Sequence, residues 1–370
     1  MSEDEKREVE LEVEVEVETE NNKQTKLAWI KSFFSKLFKK FKKKEMSFDT
    51  IMIGPSTAGK TSLLVSLKAC QYQKCYSFLN YDIYVSENED NDDKDETFNY
   101  LNEQKDALLE GRLLGTRELK TLNLKFSVQK KNWIKFGLWL KLKKHLPFFF
   151  SKKIKDIMIM DAAGGHFFGE QKAKKAELED HQLLWDKTIK DARNIIYCLP
   201  LPTTVIDQNL LKSNRFQKLQ AKLLYKSKKI KNIFICITKI EKVFQEYGNN
   251  AFNQAMTREV MLTKLAEGFN KGYRTLLPHP EFLKQFNHTV EVFIYPVSAF
   301  GFIPENGGVN LNCEQDTLLT AYNKETYTLG EVEKYWAPFM TLDPLIHAVT
   351  GKKGKYVFSL EELTQKIDEL

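Results

Sequence analysis

Five short apolar runs recur along the chain, each closed by a polar or glycine-containing turn: "FDTIMIG" up to Gly54, "KIKDIMIMD" up to Asp161, "NIIYCLPLP", "KNIFICIT" up to Thr238, and "VEVFIYPV" ahead of Ser298. Runs of this length, rich in Ile, Val and Phe and bounded by turn residues, predict buried β-strands. Between them the apolar period changes. "KTSLLVSLKACQ" places Leu63, Leu64 and Leu67 on one helical face, and "NRFQKLQAKLLYKSKK" and "FNQAMTREVMLTKLAEGF" predict two more helices. Strands alternating with helices imply an α/β fold with a doubly wound, mostly parallel sheet and helices on both faces. Its ligands are expected at the carboxyl ends of the strands.

The ends of the chain follow other patterns. Residues 1–25 open with glutamates alternating with Val or Leu, read as an acidic, solvated tail, whereas residues 26–45 carry lysines. In that second segment Ile30, Phe33, Phe34, Leu37, Phe38 and Phe41 recur at three- and four-residue steps with Trp29 beside them, so an amphipathic helix is predicted. Lysines fill its other face. A basic helix with aromatic bulk suits an anionic membrane surface, where each lysine contributes about 1 kcal/mol. Packing on the domain and groove binding to a partner protein are the alternatives. Nucleic acid is not expected, because the aromatics gather on one helical face rather than forming a stacking platform. The acidic tail suggests a mask that lies on the lysine helix until released. A second lysine- and aromatic-rich stretch, Lys130 to Lys153, reads as a hairpin feeding the sheet or as another surface contact. "SLEELTQKIDEL" carries a Ser359/Glu362 capping box and a stripe of Leu360, Leu363, Ile367 and Leu370, so residues 351–370 are expected to supply a helix seeking a groove, in cis or in a partner.

Composition narrows the class. The chain has 370 residues and a net charge of +6, with enough apolar content for a real core. Its five cysteines lack paired metal spacing and read as small buried residues in a reducing compartment. No apolar stretch is long enough to span a bilayer and the first residues are acidic, so a cytoplasmic protein, peripheral to a membrane, is expected. The final "IDEL" resembles a retention tag by coincidence, since a chain with no entry signal cannot use one.

The chemistry concentrates at the strand ends. In "IMIGPSTAGKTSLL" the spacing of Gly54, Gly59, Lys60 and Thr61 is that of a phosphate-binding loop between a strand and a helix. Backbone N–H groups of Ser56, Thr57, Ala58, Gly59, Lys60, Thr61 and Ser62 are expected to face phosphate oxygens, aided by the positive end of the following helix. Lys60 reaches the outer phosphates and Thr61 offers its hydroxyl to Mg2+. "DAAG" repeats an Asp-x-x-Gly element: Asp161 binds magnesium through water and the Gly164 N–H senses a terminal phosphate. "TKIE" (Thr238, Lys239, Glu241) and "SAF" (Ser298, Ala299) close the next two strands.

These four motifs, in this order, resemble the G domain of the Ras-like and translation-factor-related class of P-loop GTPases, across about residues 47–350. A GPS-type loop and long insertions, about 76–115 and 129–153, are similar to bacterial double-GTPases of conflict systems. The resemblance implies GTP/GDP and Mg2+ as ligands, a switch between the two nucleotide states, and a partner that activates hydrolysis or self-assembly that does so. It also implies that the carboxylate of Glu241 accepts hydrogen bonds from the guanine N1 and N2 hydrogens, while backbone N–H groups at Ser298 and Ala299 meet the guanine oxygen. The family has aspartate where this chain has Glu241. A longer carboxylate still accepts two parallel hydrogen bonds, and adenine would leave it unpaired at about 1–3 kcal/mol.

Hydrolysis is where the chain departs further. Gly165 occupies the place of the glutamine that orients water in many GTPases, with His166 one step later. Slow intrinsic turnover follows unless His166 or a partner supplies the group; a surface role for His166 is the alternative. Pro55 and Ser56 make the loop less bare than in Ras, hindering an external arginine. The switch threonine, capping magnesium and the terminal phosphate, is assigned to Thr116, with Thr121 and Thr97 as alternatives. "SENEDNDDKDET" lacks the glycine of a calcium loop and reads as a solvated insertion. Two rival readings stay open: a P-loop ATPase, and a nucleotide-binding scaffold with little hydrolysis.

Overall fold

The computed structural model describes residues 50–55, 58–70, 76–77, 79, 81–86, 94–112, 122–130, 155–161, 192–201, 229–269, 276–278, 283, 290–312, 317–322 and 327–370. The five apolar runs form strands β1 (Thr50–Ile53), β4 (Lys155–Asp161), β5 (Asn194–Pro200), β6 (Asn232–Thr238) and β7 (Glu291–Pro296). They lie parallel and adjacent in the order β4-β1-β5-β6-β7. All seven residues of β5 and six of the seven in β6 are buried. Successive strand residues point to opposite faces, so both faces of the sheet are covered and the runs need no polar alternation. The sheet is doubly wound: β1 has β4 on one side and β5 on the other, so the connections reverse direction at β1.

Antiparallel strands extend both edges. β2 (Tyr81–Ser86) pairs with β3 (Leu122–Lys130), β3 pairs antiparallel with β4, and the two-residue β8 (Phe358–Ser359) pairs antiparallel with β7. The strands on either side of the lysine-rich 130–153 stretch, β3 and β4, are therefore neighbours. Residues 131–154 themselves, like residues 1–49 and the expected helix within 202–228, lie outside the described residues. The acidic stretch 86–97 begins with Ser86, the last residue of β2, and its last four residues, from Lys94 to Thr97, open helix α2 (Lys94–Leu109); helix α1 (Lys60–Ala69) precedes both, and residues 87–93 lie outside the described residues.

The helix expected over "FNQAMTREVMLTKLAEGF" is divided. A short helix α3 (Glu241–Phe244) and a 3-10 segment (Gln245–Asn250) lead into α4 (Ala251–Ala255), and the chain then breaks before α5 (Arg258–Phe269). The break falls at Thr257: its N–H and hydroxyl turn back to the carbonyls of Gln254 and Asn253, while its own carbonyl starts α5 by accepting from the Met261 N–H at 2.9 Å. Among the described residues, helices α6 (Leu319–Tyr322), α7 (Leu329–Tyr335) and α8 (Asp343–Thr350) lie between β7 and β8.

The last helix, α9 (Leu360–Glu369), forms as its pattern indicates, with the Ser359 hydroxyl accepting from Glu362 N–H at 3.0 Å and the Glu362 carboxylate accepting from Ser359 N–H at 2.9 Å. Its apolar stripe finds its groove in cis, against α5, where Leu360, Leu363 and Ile367 are buried. Arg258 fastens the pair by donating to Glu362 at 2.8 Å and to the Val357 carbonyl at 3.2 Å, with its guanidinium 4.4 Å from the Phe358 ring centre. Leu370 departs from the expected stripe: it lies beyond the last helical residue and is 53% exposed.

Parallel strands bring their carboxyl ends to one edge. There the register sets Asp161 beside Met52, Tyr197 beside Ile53, Thr238 beside Pro200 and Pro296 beside Ile237.

Candidate functional site

The loop leaving β1 is shaped by how close it runs to β5. A Cβ on Gly54 would stand 2.5 Å from the Cys198 carbonyl oxygen, so only glycine fits without moving a strand. Gly59 has φ +77, a left-handed conformation that glycine adopts at little cost. Between them the Ala58 N–H donates to the Pro55 carbonyl at 3.2 Å, and the Leu63 N–H to that of Gly59 at 2.8 Å, which starts α1.

Lys60, the first residue of α1, turns back over this loop. It is 8% exposed, and its ammonium donates to the carbonyls of Gly54 at 2.9 Å and Pro55 at 3.1 Å. Two of its three protons are thus held by the loop, and the third is uncommitted among the described residues. A positive charge sits at the mouth of a helix N-terminus, where the helix dipole also favours an anion. Thr61 and Ser62 follow, both half-buried, with Thr61 making a contact of its own in this structure. Ser56 and Thr57 lie outside the described residues.

The end of β6 is tied directly to the loop. The Thr238 hydroxyl donates to the Ala58 carbonyl at 2.6 Å, with the Leu199 carbonyl at 3.2 Å as the alternative acceptor. Its backbone carbonyl accepts from the Leu201 N–H at 2.8 Å. Lys239 then takes φ +59, uncommon for a side chain of this kind, and the chain turns into α3 at Glu241. Nothing in the "TKIE" pattern announces the hydroxyl brace, although a small hydroxyl residue at the close of an otherwise apolar strand is its visible trace.

Glu241 is 1% exposed. Its Oε2 has no hydrogen-bond partner among the described residues. Burial raises its pKa to about 7 against the opposing influence of Ser298, its own backbone N–H, Lys239 and Lys242. The Ser298 oxygen accepts the Gly301 N–H at 2.6 Å, which leaves its hydroxyl proton free to turn toward an acceptor. An unpaired buried carboxylate oxygen is costly, and a planar ligand with adjacent N–H donors would satisfy it. The structure therefore brings together Gly54, Ala58, Gly59, Lys60, Thr238, Glu241 and Ser298, with Ala299 next to Ser298.

The arrangement offers a loop that glycine alone permits, a lysine charge at a helix start, and an orphaned acceptor beyond it. Asp161 ends β4, one strand from the loop, as the Asp-x-x-Gly reading requires of its backbone. Gly164, Gly165, His166, Thr116 and Thr121 lie outside the described residues, and Thr97 falls in the first turn of α2. Among the described residues no cluster of His, Cys, Asp and Glu forms a metal site, and no helix is long and apolar enough to cross a membrane. Cys198 and Cys236 are buried neighbours on β5 and β6, as expected of small core residues, and Cys70 is half-buried.

No protein-family model matches the chain, and no curated protein does. Similar solved structures include the signal recognition particle receptor SRb-GTP/SRX complex from Chaetomium thermophilum, at 13% identity and a TM-score of 0.32 over 71% of this chain and 95% of that one. The mammalian SRP receptor gives 11% and 0.22 over 68% and 90%. An oligomerised bacterial dynamin pair, associated with sensing and tethering of membranes, gives 15% and 0.31 over 91% of this chain and 42% of its own. Similarities of this size establish neither family nor activity. The case for function lies in the loop, its lysine and Glu241.

Proposed function

We propose that this chain is a GTP-binding and GTP-hydrolysing switch that works at a membrane surface. The observation that carries the reading is Glu241, a buried carboxylate with an unpartnered oxygen, joined through the end of β6 to a glycine-shaped loop that holds a lysine charge. Guanine presents two adjacent N–H donors to such an acceptor; adenine presents neither.

In this reading the loop N–H groups and Lys60 hold the phosphates. Glu241 and the Ser298–Ala299 backbone select the base, and Thr238 keeps the two at a fixed separation. Thr61, Thr116 and Asp161 would hold Mg2+, which neutralises charge on the phosphates when bound. Gly165 offers no side chain to orient water, so turnover is slow until His166, an activating protein or a second copy of the chain supplies that group. The basic segment 26–45 anchors the protein to anionic lipid, with the acidic residues 1–25 as its mask.

Competition against a fluorescent guanine nucleotide tests the central claim. GTP and GDP should displace it in the presence of magnesium while ATP does so far less well, and Lys60→Ala should abolish binding; equal displacement by ATP overturns the assignment. Single-turnover hydrolysis with and without anionic liposomes separates the switch from a scaffold that only binds. Deleting residues 1–20 should strengthen liposome binding, and unchanged binding removes the mask.

A further inference from the structure

Between α7 and α8 the chain "WAPFM", Trp336 to Met340, runs as a buried strap with a hydrogen-bonded neighbour on each side. On one side Phe339 exchanges both backbone hydrogen bonds with Ser298, at 2.9 and 3.0 Å, and the Trp336 indole N–H donates to the Ala299 carbonyl at 2.7 Å. On the other side the Tyr76 N–H donates to the Pro338 carbonyl at 3.0 Å, and the Met340 N–H to that of Tyr76 at 2.7 Å. The approach is close enough to select a residue: a Cβ on Gly301 would stand 1.8 Å from the Ala337 carbonyl oxygen.

Ser298 is among the groups that favour the charged form of Glu241, so the strap grips the loop that faces the buried carboxylate. Ala299 has no polar side chain through which to anchor itself. Its peptide is held from outside, by Trp336. Tyr76 lies seven residues beyond the end of α1, the helix that begins with Lys60, so the strap also joins the base end of the site to the chain leaving the phosphate end.

We propose that the strap is the positioning element of the base-reading loop and that Trp336, through its bond to Ala299, sets how sharply guanine is distinguished from adenine. The inference rests on the guanine-nucleotide reading. Trp336 touches no ligand; it acts by holding Ser298 and Ala299 at a fixed distance from Glu241. Removing its N–H leaves the Ala299 carbonyl without that donor, and the loop gains freedom where a base would need it still.

The test uses the full chain with GDP, ADP and inorganic tripolyphosphate, in wild type and Trp336→Phe, each with a thermal melt in the same buffer. The expected result is an about tenfold loss of GDP affinity, a smaller guanine-to-adenine ratio and unchanged tripolyphosphate affinity. A folded Trp336→Phe protein that keeps the wild-type ratio overturns the inference and leaves the nucleotide reading standing. A wild-type protein with no preference for GDP over ADP defeats the nucleotide reading, and the inference with it. If Trp336→Phe does not fold, hydrogen exchange on the wild type decides. Peptides covering residues 336–340 and 298–301 should gain protection with GDP but not with tripolyphosphate, and equal protection by both ligands overturns the inference.

Discussion

The hydroxyl of Thr238 lies 2.6 Å from the carbonyl oxygen of Ala58, across 180 positions of sequence. One hydrogen bond thus joins the strand end that leads to Glu241 with the loop under Lys60. Replacing Thr238 by Val keeps the shape, removes the donor and leaves a buried carbonyl unsatisfied. Stability should fall by about 1–2 kcal/mol in denaturant melts and nucleotide affinity by about tenfold, while Thr238→Ser retains most of both. Wild-type affinity in Thr238→Val would show that the brace is irrelevant to binding.

Lys60 turns its ammonium back over the loop, and part of its hydrogen-bonding capacity is uncommitted among the described residues. A charge-assisted contact to phosphate is among the stronger bonds a side chain makes. Lys60→Ala should weaken GDP and tripolyphosphate binding alike, by about a hundredfold in calorimetric titration. A loss confined to GDP would place the lysine at the base instead.

Glu241 makes binding depend on pH in a defined direction. Its pKa is raised to about 7 in the unliganded protein, and the base requires the charged form, so guanine nucleotide affinity should rise with pH through about 7 and level off above it. Glu241→Gln should bind weakly with a flat profile over that range. A wild-type profile equally flat between pH 6 and 8 would count against the role of the carboxylate.

Stability carries two opposed pH contributions. Glu241 holds a proton in the folded state that the unfolded chain releases between pH 4.5 and about 7, so its contribution falls as pH rises through that window, by about 3 kcal/mol. His347 acts in the other sense. It is buried against Phe234 and Phe293, sharing a 2.6 Å hydrogen bond with the Tyr295 hydroxyl, and burial foremost, then Lys353, lowers its pKa from 6.5 to about 4. Its folded form refuses a proton that the unfolded chain accepts, so stability is lost as pH falls from 6.5 to 4, again by about 3 kcal/mol. The two slopes nearly cancel between pH 4.5 and 6.5. Chemical denaturation against pH should show Glu241→Gln becoming more acid-sensitive than wild type and His347→Asn less so; parallel profiles for all three proteins would contradict the assignment.

The carboxyl-terminal helix gives a contrast between neighbouring leucines. Leu363 is fully buried where α9 meets α5, whereas Leu370 is mostly exposed. Leu363→Ala should cost about 3 kcal/mol and Leu370→Ala almost nothing, measured by thermal or urea unfolding. Similar losses at both would mean that the last turn packs more extensively than the fold shows.

Much of the fold is legible in the chain because the five parallel strands are continuous apolar runs. Their burial on both faces leaves no other composition available to Ile51, Ile196 or Phe234. At the antiparallel edges β8 and β2 are less so: the two residues of β8 are too few to show a period, and β2 runs directly into an acidic stretch. The division of the α4–α5 region at Thr257 is likewise a local turn that helical periodicity does not register.

By itself the sequence determines where the loop, the strand ends and the helix cap fall, since each is a local matter of backbone freedom, side-chain period and hydrogen bonding within a few residues. Tertiary structure decides which of these become a site. It buries Glu241 to the point of losing water, braces Ala58 with Thr238 and lays the Trp336–Met340 strap against Ser298. Those relations rest largely on main-chain hydrogen bonds and on desolvation by distant residues, and a backbone carbonyl is the same whatever side chain it carries, so no residue pattern marks them in advance.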